Sequence, residues 1–294
     1  MWYNSCMEIL NGKVFAEIIK EQVRTDVEKF SEEHNPPCLA CIIVEGNPAS
    51  EIYVASKEKA CKSCGIKSMV VRLPEDVSQE ELEQTIDTLN HSAEVNSILL
   101  QLPLPAHLDS ASALDKIDPI KDADCLTKTN LGYLFAGESS YAPCTASGII
   151  KLLKHYNIRL SGKNAVVVGR SLLVGKSVAC LLEQNNATVT LCHSKTENLC
   201  EHTSKADILI VAVGKANYIT PEYIKPGAVV VDVGINRIDG KIYGDVDFNS
   251  VKDKCSYITP VPGGVGPLTV ACLMENTLTL AKIQHKANTD GYTI

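Results

Sequence analysis

The stretch Ala165-Val166-Val167-Val168-Gly169-Arg170-Ser171-Leu172-Leu173-Val174-Gly175-Lys176 constrains this chain more than any other. An alanine and three valines in a row read as a buried strand. The glycine that ends it begins a tight turn, and a second glycine falls where a helix opens, running to about Gln184. A strand feeding a glycine turn and then a helix N-terminus aims backbone N–H groups and the positive end of a helix dipole at one place, which suits a phosphate. The spacing is G-x5-G rather than G-x-G-x-x-G, so the turn alone is also compatible with a plain strand–helix junction.

The segments beyond this turn extend the pattern. Thr188–Cys192 is a second strand at the distance expected in a dinucleotide-binding unit. NAD enzymes usually carry a carboxylate at its tip for the ribose 2′-hydroxyl; this chain has His193-Ser194-Lys195 there, with Arg170 in the first turn. Basic and hydroxyl groups without an acid favour a 2′-phosphate, hence NADP over NAD, the alternative being that they are solvated loop residues. Asp207–Gly214 and Ala228–Asn236 are two more apolar strands ending in glycine or just beyond it. Four such strands with helical or turn-rich spacers predict a parallel sheet covered on both faces.

At 294 residues the chain has room for two domains. Its net charge of −7 argues against a nucleic-acid partner held by its phosphates. No apolar run is long enough for a membrane span and no secretory leader is evident, so the expectation is a cytoplasmic protein with no membrane partner. Cysteine is abundant, with 12 in the chain. Cys38-x-x-Cys41 and Cys61-x-x-Cys64 have the spacing of a four-cysteine zinc site. Against that, an offset of three along a strand puts Cys38 and Cys41 on opposite faces, and neither pair has a glycine-bearing knuckle turn. Buried free thiols, which fit a reducing compartment, are the better reading, and no metal is expected.

In order along the chain, residues 1–10 read as a lead-in and Lys13 to about Glu33 as an amphipathic helix closed by Pro36-Pro37. Strand Leu39–Val44 ends at the turn Gly46-Asn47-Pro48. Ser50 is expected to cap a helix from Glu51 to Ser63, with Gly65 as its stop. Tyr53 and Lys57, four apart, share a face of it: either a platform for a flat heterocycle beside a reacting centre, or a partly exposed ring and a solvated ammonium. Val70–Leu73 is a strand, and Ser78 with Glu81 forms a capping box for a helix to about Ala93. Ser97–Leu102 is a strand interrupted by Gln101, whose amide either reaches into a cleft or is satisfied within the sheet. After the acidic loop Asp118–Asp124, Pro143-Cys144-Thr145 opens a helix to about Tyr156, with Thr145 as a candidate cap. Gly244–Phe248 reads as a short turn. Ile258–Pro267, with three prolines and three glycines, is expected to be irregular; it is either a close approach to a ligand or a linker. A closing helix runs from Leu268 to about Gln284 before a polar tail.

From about residue 8 to 284 the chain resembles the bifunctional methylenetetrahydrofolate dehydrogenase/methenyltetrahydrofolate cyclohydrolase (FolD) family. The resemblance rests on ASEIYVASKEKACKSCGI, LLQLPLP, DPIKDAD, PCTASG, VVVGRSLLVGKS, TVTLCHSKT, DVGIN, GDVDF and TPVPGGVGPLT, in that order. It implies two α/β domains joined by long helices around a cleft. One is an N-terminal folate-binding catalytic domain (1–142, completed by 267–294), the other a Rossmann-type NADP-binding domain (143–266). It implies oxidation of 5,10-methylenetetrahydrofolate with NADP and hydrolysis of the product to 10-formyltetrahydrofolate. The alternative is a monofunctional NAD(P)-dependent dehydrogenase on the same scaffold. A homodimer and a place in the one-carbon supply of purine biosynthesis are likewise implied by resemblance only.

The residues carried over are Tyr53, Lys57, Gln101 and the pterin-binding Asp124 as the catalytic set, with Leu100, Leu102 and the Pro262–Gly266 loop (Pro262, Gly263, Gly266) on the folate side. Gly169, Arg170, Ser171, Ser194 and Ile235 match the family's cofactor contacts. Three positions depart from its usual pattern: Cys125 where a glycine commonly follows the aspartate, Ala146 where a proline follows PCT, and Ser177 where a proline follows the second cofactor glycine. None removes a charged or proton-donating group, but Cys125 bears on the backbone freedom of the pterin loop.

Overall fold

The computed structural model describes residues 7–290. The elements begin with β1 (Glu8–Ile9), α1 (Gly12–Ser31), β2 (Cys38–Val44), α2 (Pro48–Cys64), β3 (Lys67–Leu73), α3 (Gln79–His91) and β4 (Ser97–Leu100). Next come α4 (Ser110–Asp115), α5 (Lys128–Ala136), α6 (Cys144–His155), β5 (Asn164–Val168), α7 (Ser177–Gln184), β6 (Thr188–Cys192) and α8 (Leu199–Thr203). The last are β7 (Ile208–Val211), β8 (Ala228–Asp232), β9 (Asn236–Ile238), β10 (Lys241–Tyr243), α9 (Phe248–Val251), β11 (Cys255–Ile258) and α10 (Val265–Asp290). The backbone divides into two compact units: one of the chain up to Ala16 with Thr145–Thr269, the other of Glu17–Cys144 with the chain from Val270 onward.

The Glu17–Cys144 unit is built on a three-stranded parallel sheet in the order β3-β2-β4. Every residue of β2 is buried, as a central parallel strand covered on both faces requires. Cys38, Ala40, Ile42 and Val44 pack with Leu82, Ile86 and Leu89 of α3 and with Ala113 and Ile117, so Cys41 belongs to the opposite face from Cys38. The capping box forms: the Ser78 hydroxyl accepts from the Glu81 N–H while the Glu81 carboxylate accepts from the Ser78 N–H. At the other end of α3, Lys121 Nζ donates to the carbonyls of Leu89 and Ser92 at 3.1 and 2.7 Å. That anchors the Asp118–Asp124 loop to a helix C-terminus.

The other unit is a six-stranded sheet in the order β1-β11-β8-β7-β5-β6, all parallel. From β5 the chain goes out to β6 and returns to the far side of β5 as β7, so the strand order reverses at the end of β5. That is the switch point where α/β sheets take their ligands.

Several elements differ from the sequence expectation, each for a local reason. Glu8–Ile9 are not lead-in but an edge strand paired with β11; residues 1–6 lie outside the described residues. β11 and β1, too short to stand out by composition, bring the sheet from four strands to six. Ser50 is not the cap of α2, because the helix starts at Pro48, where the missing proline N–H costs nothing. Thr145 likewise lies inside α6, its hydroxyl on that of Thr269 at 3.0 Å. α10 starts at Val265, ahead of Leu268: Pro267 falls in the first turn, where N–H groups have no helical partner anyway. It also runs to Asp290, past the expected end at Gln284. The predicted strand to Asn236 stops at Asp232; Asn236 instead opens the β9–β10 hairpin, whose Asp239 and Gly240 turn has φ of 50° and 75°.

Candidate active site

Tyr53 is 39% exposed and Lys57 is half-buried, one turn apart on α2. Lys57 Nζ donates to Gln101 Oε1 at 2.7 Å. Gln101 follows β4 directly: its N–H continues the ladder to the Ile42 carbonyl at 2.9 Å, and its Nε2 donates to the Leu102 carbonyl at 2.6 Å. The Leu102 carbonyl, an acceptor only, fixes which end of the amide is nitrogen and so turns Oε1 toward Lys57. The Gln101 amide is thus satisfied by hydrogen bonds at the sheet end, one of them holding the lysine. Leu100 is buried in the sheet core and Leu102 packs partly against it, so their side chains set the path of this segment.

Asp124 is half-buried on the Asp118–Asp124 loop. Burial pushes the Cys41 thiol up to about 11 and the Cys144 thiol well above its ordinary value; Lys57 and Asp124 act on both, with opposite signs. The two charges thus share a neighbourhood with these thiols. Four groups that sequence reasoning did not single out hold the loop. Buried Asp122 accepts from the Thr127 N–H and from Asn130 Nδ2 at 2.8 and 2.9 Å, while desolvation raises its own pKa. Asn276 of α10, also buried, donates to the carbonyls of Ala123 and Ala142 at 2.9 and 3.0 Å. It ties the residue before Asp124 to the start of the PCT segment. The contacts of Lys121 and Asn276 join residues far apart in the chain, which no local spacing signals, whereas Asp122, Thr127 and Asn130 lie within one short segment.

The four cysteines of the zinc-like spacing are buried. Burial raises Cys38 and Cys64 and pushes Cys61 up to about 12, which disfavours their ionised forms. Among the described residues no group of three or more His, Cys, Asp or Glu side chains could hold a metal ion.

In the other unit, Gly169 has φ +123°, and a Cβ there would lie 2.1 Å from the Ala212 carbonyl oxygen. A Cβ on Gly175 would lie 2.0 Å from the Gly169 oxygen. Both glycines exist so that three backbone segments can crowd together. The helix opens with a π-turn, Leu172–Lys176, whose Val174 and Gly175 N–H groups are taken by the Ser171 hydroxyl at 3.3 and 3.5 Å. Two donors expected to face a phosphate are therefore already engaged. Beside this turn, at the ends of β5, β6 and β7, lies a cavity of ≈230 Å³ lined by Gly169, Arg170, His193, Ser194, Lys215 and Tyr218 among others. Its basic and hydroxyl groups, with no carboxylate in the wall, fit a phosphorylated nucleotide. Ile235 is 45% exposed and 3.7 Å from where a Gly266 Cβ would stand. Pro262 follows a cis peptide bond, and the Gly263 carbonyl accepts from the Lys13 N–H at 2.9 Å.

The wall of that cavity rests on two buried carboxylates, neither expected from the sequence. Asp245, of the GDVDF stretch, accepts from the N–H groups of Val213, Gly214 and Lys215 at 2.6, 2.9 and 2.9 Å and from Asn236 Nδ2 at 2.9 Å. Asp232, of DVGIN, accepts from the N–H groups of Gly234, Asp245 and Val246, and desolvation nonetheless pushes it up to about 6.

Residues 10–124 match the tetrahydrofolate dehydrogenase/cyclohydrolase catalytic domain, and 143–285 match the NAD(P)-binding domain of the same enzymes. The chain belongs to the tetrahydrofolate dehydrogenase/cyclohydrolase family. The bifunctional protein FolD of Thermodesulfovibrio yellowstonii is 51% identical over 280 residues, 95% of this chain and 98% of that one. The structure of the bifunctional FolD of Campylobacter jejuni superposes with a TM-score of 0.93 at 48% identity, covering 95% and 100%. The Trypanosoma brucei dehydrogenase-cyclohydrolase, solved with NADP cofactor and an inhibitor, gives 0.91 at 38% identity, covering 96% and 99%. Among the described residues no helix is long and apolar enough to cross a membrane.

Against the family pattern, Cys125 is buried with φ 57°, a left-handed backbone in which glycine is at ease and a thiol side chain is strained. Ser177 donates its hydroxyl to the Leu172 carbonyl at 2.5 Å, which ties the π-turn to α7. Ala146 is fully buried within α6.

Proposed function

We propose that this chain oxidises 5,10-methylenetetrahydrofolate to the methenyl form with NADP and hydrolyses that product to 10-formyltetrahydrofolate. The observation that carries the reading is the 2.7 Å bond from Lys57 to Gln101, in electrostatic company with Asp124, within the unit matching the catalytic domain. NADP, when bound, supplies the acceptor for the hydride that leaves the methylene bridge. The chain's own task in that step is orientation: Asp124 accepts from the pterin amino and ring N–H groups, and Tyr53 lays its ring along the folate. In the second step water adds to the methenyl carbon and loses a proton. The bond from that carbon to N5 then breaks as N5 takes up a proton and the new hydroxyl gives up its own, which leaves the formyl group on N10. Lys57 Nζ moves these protons, and Gln101 Oε1 keeps it aimed. Leu100, Leu102, Pro262, Gly263 and Gly266 shape the folate side; Gly169, Arg170, Ser171, Ser194 and Ile235 hold the cofactor.

Folate binding is assigned to the unit of Glu17–Cys144 with the chain from Val270 onward, and NADP to the unit that holds Thr145–Thr269. A cytoplasmic location is supported by the buried free thiols, which suit a reducing compartment. A homodimer and a role in supplying purine biosynthesis rest on the family resemblance. A spectrophotometric assay with methylenetetrahydrofolate, run with NADP and then NAD and scoring reduced cofactor apart from 10-formyl product, tests the reading. Both products should appear, with NADP preferred. Reduced cofactor without 10-formyl product would favour the monofunctional alternative, and a preference for NAD would remove the cofactor assignment.

A further inference from the structure

Lys215 is placed to meet the same ligand as Arg170 and Ser194, although it lies more than 40 residues along the chain from Arg170 and outside every stretch that carries the family resemblance. Three features fix it. Its backbone N–H donates to Asp245 Oδ1 at 2.9 Å, while Oδ2 of the same carboxylate holds Val213 and Gly214, so the turn carrying Lys215 hangs on one fully buried anion. Asp245 is itself seated by its N–H on Asp232 at 2.9 Å. The Lys215 ammonium lies 5.4 Å from the centroid of the Tyr218 ring, a cation–π contact that limits where the charge can go. Among the described residues it has no carboxylate partner to neutralise it. An exposed, uncompensated cation on a tethered turn in the wall of a cavity that also holds a guanidinium and a serine hydroxyl is an arrangement for binding a dianion.

We propose that Lys215 is a specificity-determining residue, a second cation beside Arg170 for the ribose 2′-phosphate of the dinucleotide, with Asp245 as the positioning residue that presents it. The proposal rests on the NADP reading above. Lys215 answers to the 2′-phosphate alone, so its removal penalises ligands with that group and spares those without it. Asp245, acting through the backbone, governs both.

The test measures dissociation constants by calorimetry on the whole protein, with 2′,5′-ADP and 5′-AMP as probes that differ only in that phosphate. Lys215→Gln, which removes the charge but keeps a polar side chain, should weaken 2′,5′-ADP by about tenfold, the order of one charge-assisted contact, and leave 5′-AMP within about twofold. Lys215→Arg should restore the preference. An equal loss for both probes would make Lys215 a merely structural member of the turn, and an unchanged 2′,5′-ADP constant would leave the 2′-phosphate to Arg170 and Ser194; either result overturns the proposal. Should the unaltered protein itself fail to prefer 2′,5′-ADP, the NADP reading falls and this inference with it.

Discussion

Cys125 follows Asp124 and holds φ at 57° while its side chain is fully buried. A left-handed conformation costs a non-glycine residue about 1–2 kcal/mol, and the surrounding contacts must offset it. Cys125→Gly relieves that strain but forfeits the buried thiol and loosens the unfolded chain, so its stability should fall within about 1 kcal/mol of the parent. Cys125→Val adds a β-branched side chain to the same backbone and should lose about 2–3 kcal/mol by thermal or denaturant unfolding. Equal stabilities for the two variants would show that the backbone at 125 is not strained. Other residue-scale features were legible in advance. Tyr53 and Lys57 share a helix face by their spacing alone, and the Gly169 turn is announced by the valines before it. The Lys57–Gln101 bond was not legible from spacing, because it joins groups 44 residues apart and exists only once β4 lies beside β2.

The elements bearing the site are held at their ends, and the holding groups come from remote segments. Asn276 on α10 reaches Ala123 and Ala142, 153 and 134 residues away in sequence. Asn276→Ala leaves two buried carbonyls without that donor, which should cost about 2–4 kcal/mol and free the Asp124 loop. The expected signature is a raised KM for the folate substrate with the NADP dissociation constant unchanged. A variant that loses stability with the folate KM intact would reduce Asn276 to a packing role. At α3, Ser78→Ala removes one half of the capping box and should cost about 1 kcal/mol in denaturant unfolding. That box could be read directly from Ser78 and Glu81, as could the buried strands from their apolar runs. Helix starts were harder: α2, α6 and α10 begin at Pro48, Cys144 and Val265, ahead of Ser50, Thr145 and Leu268, the starting points expected from the sequence. The β9–β10 hairpin did have a signal, Asp239-Gly240, just beyond the strand read to Asn236, in a segment to which no element was assigned.

For the molecule as a whole, the buried carboxylates couple stability to pH. Asp232 rises from 3.8 in the unfolded chain to about 6 in the fold, so the folded state binds that proton more tightly. Its contribution is greatest below pH 3.8, is lost as the pH rises from about 4 to 6, and stays lost above; the full span is on the order of 3 kcal/mol. Salt-bridged Asp207 and Asp115, held low by Lys225 and Lys128, act with the opposite sign and at lower pH. Comparing unfolding free energies from pH 4 to 7, Asp232→Asn should remove a downward slope that the unaltered protein shows; parallel profiles would mean Asp232 is ionised at little cost. The two α/β units and the family were legible because their strands are continuous apolar runs and their motifs keep one order. The Asp232–Asp245 scaffold was not, since no spacing shows that an aspartate closing an apolar strand and one in a short turn beyond it will meet and divide backbone N–H groups between them.

The central claim, that Lys57 aimed by Gln101 moves the protons of the hydrolytic step, is tested most directly by the rate at which Lys57→Met converts methenyltetrahydrofolate to 10-formyltetrahydrofolate. The account predicts a fall of about 100-fold or more, the size of a general acid–base contribution, in a protein that still unfolds cooperatively and still binds NADP. Hydrolysis at the rate of the unaltered enzyme would contradict it.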